Sequence, residues 1–201
     1  MKNFIIILSI ASFLNSSSTL KAQNSANILD EIPFNYESRS PLYDFYEKHL
    51  SNTDTIPDFD TMENKLKITG TIFQSNGITP AKDVILFISQ PNENGEYDLK
   101  IENHKRYVCH RGWVKTEADG VYTFYTFIPG SYGHSRELRN INPIVKVAGK
   151  SEYALNTLIF EDDPYLTKLC RKRLKKKGIN NILTTLKNED MYVATYNIIL
   201  K

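Results

Sequence analysis

Between residues 65 and 165 the chain alternates between short hydrophobic runs and turn sequences. In the first run, LKITGTIF at 66–73, the hydrophobic residues Leu66, Ile68 and Ile72 fall on alternate positions. This period of two indicates a half-buried strand, because successive side chains of a strand point to opposite faces. Short strands at this spacing predict an all-β sandwich or barrel. The predicted strands are 66–73, 83–90, 107–116, 121–128, 144–147 and 155–160.

Helical patterns flank these predicted strands. Residues 40–50 predict a short helix, with Ser40 as its N-cap and Pro41 in its first turn. Residues 167–177 predict a second helix, and residues 191–200 predict a last strand. The expected fold class is therefore all-β: a β-sandwich with a short N-terminal helical arm and a C-terminal helix plus strand.

The first 22 residues have the layout of a secretory signal peptide. Lys2 is followed by an apolar run from residue 4 to residue 14 and then by a small residue, Ala22, after which we expect cleavage. A membrane-anchoring helix is the alternative, although the run is short for a bilayer span. The expected organisation is a signal peptide at 1–22, an arm at 23–64 and a sandwich domain at 65–201, exported to a bacterial periplasm or secreted.

The charge balance excludes a general electrostatic attraction to polyanions. The 201 residues include 25 basic and 23 acidic side chains, and removing Lys2 and Lys21 with the signal peptide leaves 23 of each. A neutral protein has no overall field for nucleic acid or an anionic membrane. Basic residues nevertheless crowd together at 168–177, either as a solvated helix face or as an anion-binding patch.

Two cysteines, Cys109 and Cys170, form a disulfide or remain free thiols, and their spacing leaves both alternatives open. The chain has neither a CxxC motif nor the Cys/His spacing of structural zinc sites. The sequence therefore predicts no structural zinc.

Five segments follow one another in a characteristic order. In sequence they are the hairpin start at 66–84, NGEYD at 94–98, RGWVKTEADGVYTF at 111–124, TFIPGSY at 126–132 and NTLIFEDDP at 156–164. Together they resemble the intradiol ring-cleavage dioxygenases, nonhaem iron(III) enzymes that open catechol rings between the two hydroxyls. This resemblance implies a β-sandwich of the intradiol dioxygenase type.

The resemblance also implies a metal site. This chain has some of the family's metal-binding residues and lacks others. The family holds iron(III) with two tyrosines and two histidines, and Tyr97 and Tyr132 match the tyrosine positions. Asn142 and Ile144 stand where the family has its H-x-H histidines. Arg139 matches an arginine that steadies substrate charge. Without imidazoles the site is expected to bind iron(III) weakly or not at all.

Three functional hypotheses remain. The first is an exported, non-catalytic protein that binds a small aromatic, a glycan or another protein. The second is an active iron(III) dioxygenase with rearranged ligands, in which His134 joins Tyr97 and Tyr132. The third is a structural or protein-binding sandwich module. No nucleic-acid partner and no stable membrane anchor are expected.

Overall fold

The structure is a computed structural model that describes residues 35, 40–45, 49–102, 104–133 and 136–201. These residues belong to one compact unit, residues 33–201. The predicted signal peptide lies outside the described residues. Among the described residues, no helix combines the length and the apolar character needed to cross a bilayer.

Strands dominate the described part of the chain, and most of them form two sheets. The strands are β1 (Thr53–Thr55), β2 (Lys65–Phe73), β3 (Ile85–Ser89), β4 (Leu99–Glu102), β5 (Lys105–Val108), β6 (Arg111–Lys115), β7 (Val121–Phe127), β8 (Asn140–Lys146), β9 (Tyr153–Ala154), β10 (Leu158–Phe160), β11 (Ile182–Leu183), β12 (Leu186–Asn188), β13 (Met191–Thr195) and β14 (Ile198–Ile199).

The first sheet has the order β1-β7-β2-β13-β12, with β14 also paired to β2. The second sheet has the order β11-β10-β8-β3-β6, with β9 also paired to β8. Strands β4 and β5 form a separate hairpin. Because β1 pairs with β7, the segment that the sequence assigned to an N-terminal arm contributes a strand to the first sheet.

The core lies between the two sheets and follows the period of two. Leu66, Ile68 and Ile72 of β2 are buried, while the residues between them are partly exposed, except Gly70. Strands β7 and β8 add Phe124 and Ile141 to the same hydrophobic cluster. This alternation confirms the expected sandwich, since each sheet buries one face against the other.

A buried glutamine joins the two sheets at the end of β3. Gln90 is fully buried; its amide nitrogen donates to the carbonyl of Phe127 at 3.0 Å, and its amide oxygen accepts from the Thr126 hydroxyl at 2.6 Å. The side-chain amide is thus hydrogen-bonded to β7 of the opposite sheet. The amide nitrogen and the amide oxygen of Gln90 therefore each have a hydrogen-bond partner, as buried polar atoms usually do.

The N-terminal segment covers the outer face of the second sheet. Residues Pro41–Phe45 form a 3₁₀ helix, and the Ser40 hydroxyl accepts from the Leu42 N–H at 3.3 Å, as expected of an N-cap. Leu42 is fully buried, and its carbonyl accepts from the Trp113 indole N–H at 3.0 Å. This cover explains why β3 is buried on both faces and has no alternating pattern.

Three predicted elements differ from the structure, the first being the helix predicted at 40–50, of which Pro41–Phe45 is a 3₁₀ helix and residues 49 and 50 are not helical. The single strand predicted at 107–116 is two strands, β5 and β6, because the chain bends at Cys109 and His110. The predicted last strand is likewise divided into β13 and β14. The predicted second helix is confirmed as α1 (Lys168–Lys176), whose N-cap Thr167 accepts from the Cys170 N–H at 3.2 Å.

An ion-pair cluster attaches the N-terminal segment to the sandwich. Asp44, whose side chain is 10% exposed, accepts from Lys105 and from Arg111, each at 2.5 Å. The Arg111 guanidinium lies 3.9 Å from the Tyr107 ring centroid and 5.0 Å from that of Trp113. The carboxylate therefore neutralises two cations that are largely removed from water.

Replacing Asp44 with alanine leaves the Arg111 guanidinium buried without its carboxylate. We expect the Asp44→Ala variant to lose about 3 kcal/mol of the free energy of unfolding, as when one partner of a buried pair is removed. Urea denaturation measures this loss. The Asp60→Ala variant, at an exposed position, is the control. Equal losses of unfolding free energy in both variants would contradict a stabilising ion pair between Asp44 and Arg111.

Candidate functional site

Backbone contact between two turns creates the candidate site. The Tyr97 turn (residues 92–97) meets the Tyr132 loop (residues 129–132), and the Gly130 N–H donates to the Asn92 carbonyl at 2.9 Å. A Cβ on Gly95 would lie 2.2 Å from the Tyr132 nitrogen, and one on Gly130 would lie 2.0 Å from the Glu93 oxygen. Glycine is therefore required at both positions. The contact brings the two predicted tyrosines onto neighbouring segments.

The Tyr97 hydroxyl is held by two asparagines of β8. It donates to the Asn140 side-chain oxygen at 3.2 Å and accepts from the Asn142 side-chain nitrogen at 2.8 Å. The Asn142 amide also donates to the Asn140 oxygen at 3.0 Å, and its own oxygen accepts from the Thr157 hydroxyl at 2.9 Å. Tyr97, Asn140, Asn142 and Thr157 form one polar cluster, which we call the amide cluster.

Strand alternation explains this arrangement. Asn140, Asn142 and Ile144 are partly exposed on one face of β8, whereas Ile141 and Val145 point into the core. Ile144 lies opposite Phe87 of β3 and Ala154 of β9. Asn140 was missed by the sequence analysis, although its spacing of two residues from Asn142 places both on the same face.

Burial and charge keep the Tyr97 hydroxyl protonated. Desolvation raises the pKa of Tyr97 above its ordinary value of 10.0, and the carboxylate of Glu137 raises it further, while the hydrogen bond from Asn142 lowers it. The side chain as a whole is 44% exposed, so its ring remains accessible. At neutral pH Tyr97 is a neutral phenol that donates one hydrogen bond and accepts another.

Arg139 faces the acidic turn after β10. Its backbone N–H and its side-chain Nε donate to Asp163 at 2.7 and 3.4 Å, and its terminal nitrogen donates to Asp162 at 2.9 Å. The guanidinium also lies 5.4 Å from the Phe160 ring centroid. Two carboxylates thus neutralise the predicted substrate-steadying arginine. A depression of about 250 Å³ lies beside it and is also lined by Pro129 and Gly130.

Tyr132 is 47% exposed on its loop, and His134 lies outside the described residues. His49 and His104 are exposed, whereas His110 is buried.

In the structure Cys109 and Cys170 are both free thiols, without a disulfide between them. Cys109 precedes β6 and Cys170 lies on α1, which leads into β11, and these strands are opposite edges of one sheet. The edge strands of this sheet are separated by several strand spacings of about 4.8 Å, more than the roughly 7 Å that a disulfide spans. Burial raises the pKa of the Cys109 thiol above its ordinary value of 9.0.

Solved structures that are similar to this chain include dioxygenases. The dioxygenase domain of a dioxygenase and carbohydrate-binding protein fusion from Streptomyces sp. SirexAA-E has a TM-score of 0.58 and 20% identity, over 77% of this chain and 90% of that chain. Catechol 1,2-dioxygenase from Acinetobacter sp. ADP1 has a TM-score of 0.56 and 14% identity, over 75% and 57%. An intradiol ring-cleavage dioxygenase from Tetranychus urticae has a TM-score of 0.56 and 18% identity, over 75% and 85%.

No protein-family model matches the chain, and no curated protein matches it in sequence. Two stacked sheets, with a tyrosine-bearing turn and a tyrosine-bearing loop in contact, form a β-sandwich. More specifically, the chain has the fold of the intradiol ring-cleavage dioxygenases, which confirms the resemblance and the fold class expected from the sequence. The structural relatives establish the fold alone, and function has to be argued from the site.

The contact between the Tyr97 turn and the Tyr132 loop can be tested at its glycines. In the Gly95→Ala variant the new methyl group collides with backbone, and the positive φ of 82° adds strain. We expect a loss of at least about 2 kcal/mol in the free energy of unfolding. The Gly133→Ala variant is the control because a Cβ there meets nothing within 4 Å. Equal stability of the two variants would show that the close contact does not exist.

The protonation state of Tyr97 can be tested by ultraviolet titration. Its folded-state pKa lies above 10.0, so this tyrosine favours folding below pH 10 and loses that contribution as pH rises through the folded pKa. We expect the Tyr97→Phe variant to lack one tyrosinate component that titrates above pH 10 in the wild type. If the component missing from the variant titrates below pH 10 in the wild type, the raised pKa of Tyr97 is contradicted.

Proposed function

We propose that this protein is an exported, non-catalytic relative of the intradiol dioxygenases, with a degenerate iron site that has become a ligand-binding site. One observation carries the proposal: the Asn142 amide donates a hydrogen bond to the Tyr97 hydroxyl oxygen at 2.8 Å. That oxygen is the atom that the family resemblance assigns to the metal. Export rests on the signal-peptide layout of residues 1–22.

The donor set of the described residues does not fit iron(III). A hard trivalent cation favours anionic oxygen donors, with imidazoles to complete its shell. At the two histidine positions, Asn142 directs an NH₂ group at the tyrosine, and Ile144 has no donor atom. Tyr97 itself is stabilised as a neutral phenol by burial and by Glu137.

The amide cluster suits a ligand with adjacent hydroxyl groups. Tyr97, Asn140, Asn142 and Thr157 together offer both donors and acceptors, and the half-exposed Tyr97 ring offers an apolar face. Aromatic rings combined with amide and hydroxyl groups recognise hydroxylated rings through stacking and hydrogen bonds. We therefore propose a catechol-like aromatic or a glycan as the ligand class.

An active dioxygenase is the second candidate. The close contact between Gly95 and the Tyr132 backbone favours it, because this contact keeps the two tyrosine-bearing segments together as a metal site would require. In that case His134 would replace one of the missing imidazoles, and catechol would be the substrate.

The iron site is tested by adding iron(III) to the purified protein and recording its visible spectrum and metal content. We expect no stoichiometric iron and no visible charge-transfer band, because Asn142 and Ile144 provide no imidazole to hold the metal. Catechol is expected to remain uncleaved. A coloured, stoichiometric complex that is lost in the Tyr132→Phe and His134→Gln variants would instead establish the dioxygenase alternative.

A restoration experiment supplies the matched control. The Asn142→His, Ile144→His double variant returns the missing imidazoles to the same face of β8. We expect it to gain iron(III) affinity and a visible band that disappears when Tyr97→Phe is added. Calorimetry with catechol and simple glycans then tests ligand binding by the wild type, and no binding would favour the structural-module hypothesis.

A further inference from the structure

A second cluster of chemically active side chains lies next to Asp98, the residue that follows the Tyr97 turn. Cys109 and His110 occupy the bend between β5 and β6. Asp58 reaches them from the segment between β1 and β2, and Asp98 reaches them from the residue before β4. Ligand atoms of Asp58, Cys109 and His110 all lie within 4.8 Å of one another. The intradiol resemblance assigns none of these residues to its iron site.

The distances within this cluster match those between ligands of one metal ion. The His110 Nε2 lies 3.3 Å from a carboxylate oxygen of Asp58. Nitrogen and oxygen ligands that are each roughly 2.0–2.1 Å from a tetrahedral zinc ion are about 3.3 Å apart. The Cys109 sulfur lies within 4.8 Å of both and has to approach by at most about 1.2 Å to complete the site.

His110 is held in place, but one of its nitrogens has no hydrogen-bond partner among the described residues. The residue is 1% exposed, and its ring packs edge-on against Phe127 at 5.0 Å between centroids. Its Nδ1 is buried without a hydrogen bond and faces the Asp98 carboxylate at 3.9 Å. A buried nitrogen without a partner is costly, so its presence calls for an explanation.

We propose that Asp58, Cys109 and His110 bind a divalent transition-metal ion of the zinc type, and that Asp98 orients the imidazole through its second nitrogen. A thiolate, an imidazole and a carboxylate are the three donors that zinc prefers. A metal-bound histidine usually donates its other N–H to a carboxylate, which is the position of Asp98. Binding of the ion at Nε2 makes Nδ1 a donor and draws Asp98 into hydrogen-bond range.

Three protein ligands leave one coordination position open. This composition is typical of zinc sites that exchange water or a small ligand, unlike closed structural sites with four protein ligands. Cys109 lines a depression of about 280 Å³, together with Pro57, Tyr107 and Arg111, through which an ion reaches the thiol. The cluster therefore differs from the structural zinc pattern that the sequence lacks.

Cobalt(II) is the first probe, because it absorbs visible light and a thiolate ligand adds a near-ultraviolet charge-transfer band. We expect the purified full-length protein to bind one cobalt ion with such a band, which zinc then displaces. The band should be absent in Cys109→Ser and present in Cys170→Ser, the matched cysteine control. A wild type without the band, or a band that survives Cys109→Ser, overturns the proposal.

A second variant separates loss of the ion from loss of the fold. The Asp58 side chain is 54% exposed and its φ is 66°, a conformation that asparagine tolerates, so Asp58→Asn keeps the fold. We expect zinc affinity in this variant to fall by tenfold or more in calorimetry, with an unchanged circular dichroism spectrum. Unchanged affinity overturns the assignment of Asp58.

One further variant distinguishes the proposed zinc site from metal binding at the amide cluster. The Tyr97→Phe variant changes the amide cluster and leaves all three proposed zinc ligands in place, so its cobalt spectrum should equal that of the wild type. A cobalt spectrum that depends on Tyr97 would instead place the ion at the amide cluster and overturn the Asp58, Cys109 and His110 site.

Discussion

The antiparallel pairing of β2 with β7 is the constraint on which both candidate sites depend. It runs from the Lys65–Phe127 pair to the Thr71–Val121 pair without interruption. Since strand side chains alternate, this register alone decides which residues of the two strands face the core. It also fixes the end of β7, from which the Tyr132 loop continues and against whose Phe127 ring the imidazole of His110 packs.

The two sites satisfy their polar atoms in opposite ways. In the amide cluster the hydroxyl and amide groups bond to one another, so the cluster is electrically neutral and complete without a metal. Around His110, carboxylates approach both ring nitrogens, but only Nε2 lies within hydrogen-bond distance. A neutral cluster of hydroxyl and amide groups suits a polar organic ligand, whereas an acidic, incompletely bonded cluster suits a cation.

The sequence predicted the long half-buried strands well, because β2 and β7 alternate between core and solvent. It did not predict the bend at Cys109 and His110, since the hydrophobic pattern continues through both residues while the chain changes direction. Strands β11 and β12, of two and three residues, are too short for periodicity to detect. Their place depends on tertiary pairing with neighbouring strands.

The candidate sites were predictable to different degrees. The resemblance indicated Tyr97 and Tyr132, and strand alternation would have added Asn140 to Asn142. No local pattern connects Asp58 with His110, which lie 52 positions apart in the chain. Their proximity arises from the fold, and only the adjacent Cys-His pair was visible beforehand.

Trp113 is the single tryptophan of the chain, and its indole N–H is bonded to the carbonyl of Leu42. Its ring is buried beneath the N-terminal segment and beside Phe87. Tryptophan fluorescence therefore responds to the release of that segment from the second sheet as well as to the unfolding of the sandwich that contains β6. Comparing the unfolding transition seen by Trp113 fluorescence with that seen by circular dichroism then shows whether the N-terminal segment detaches before the sandwich unfolds.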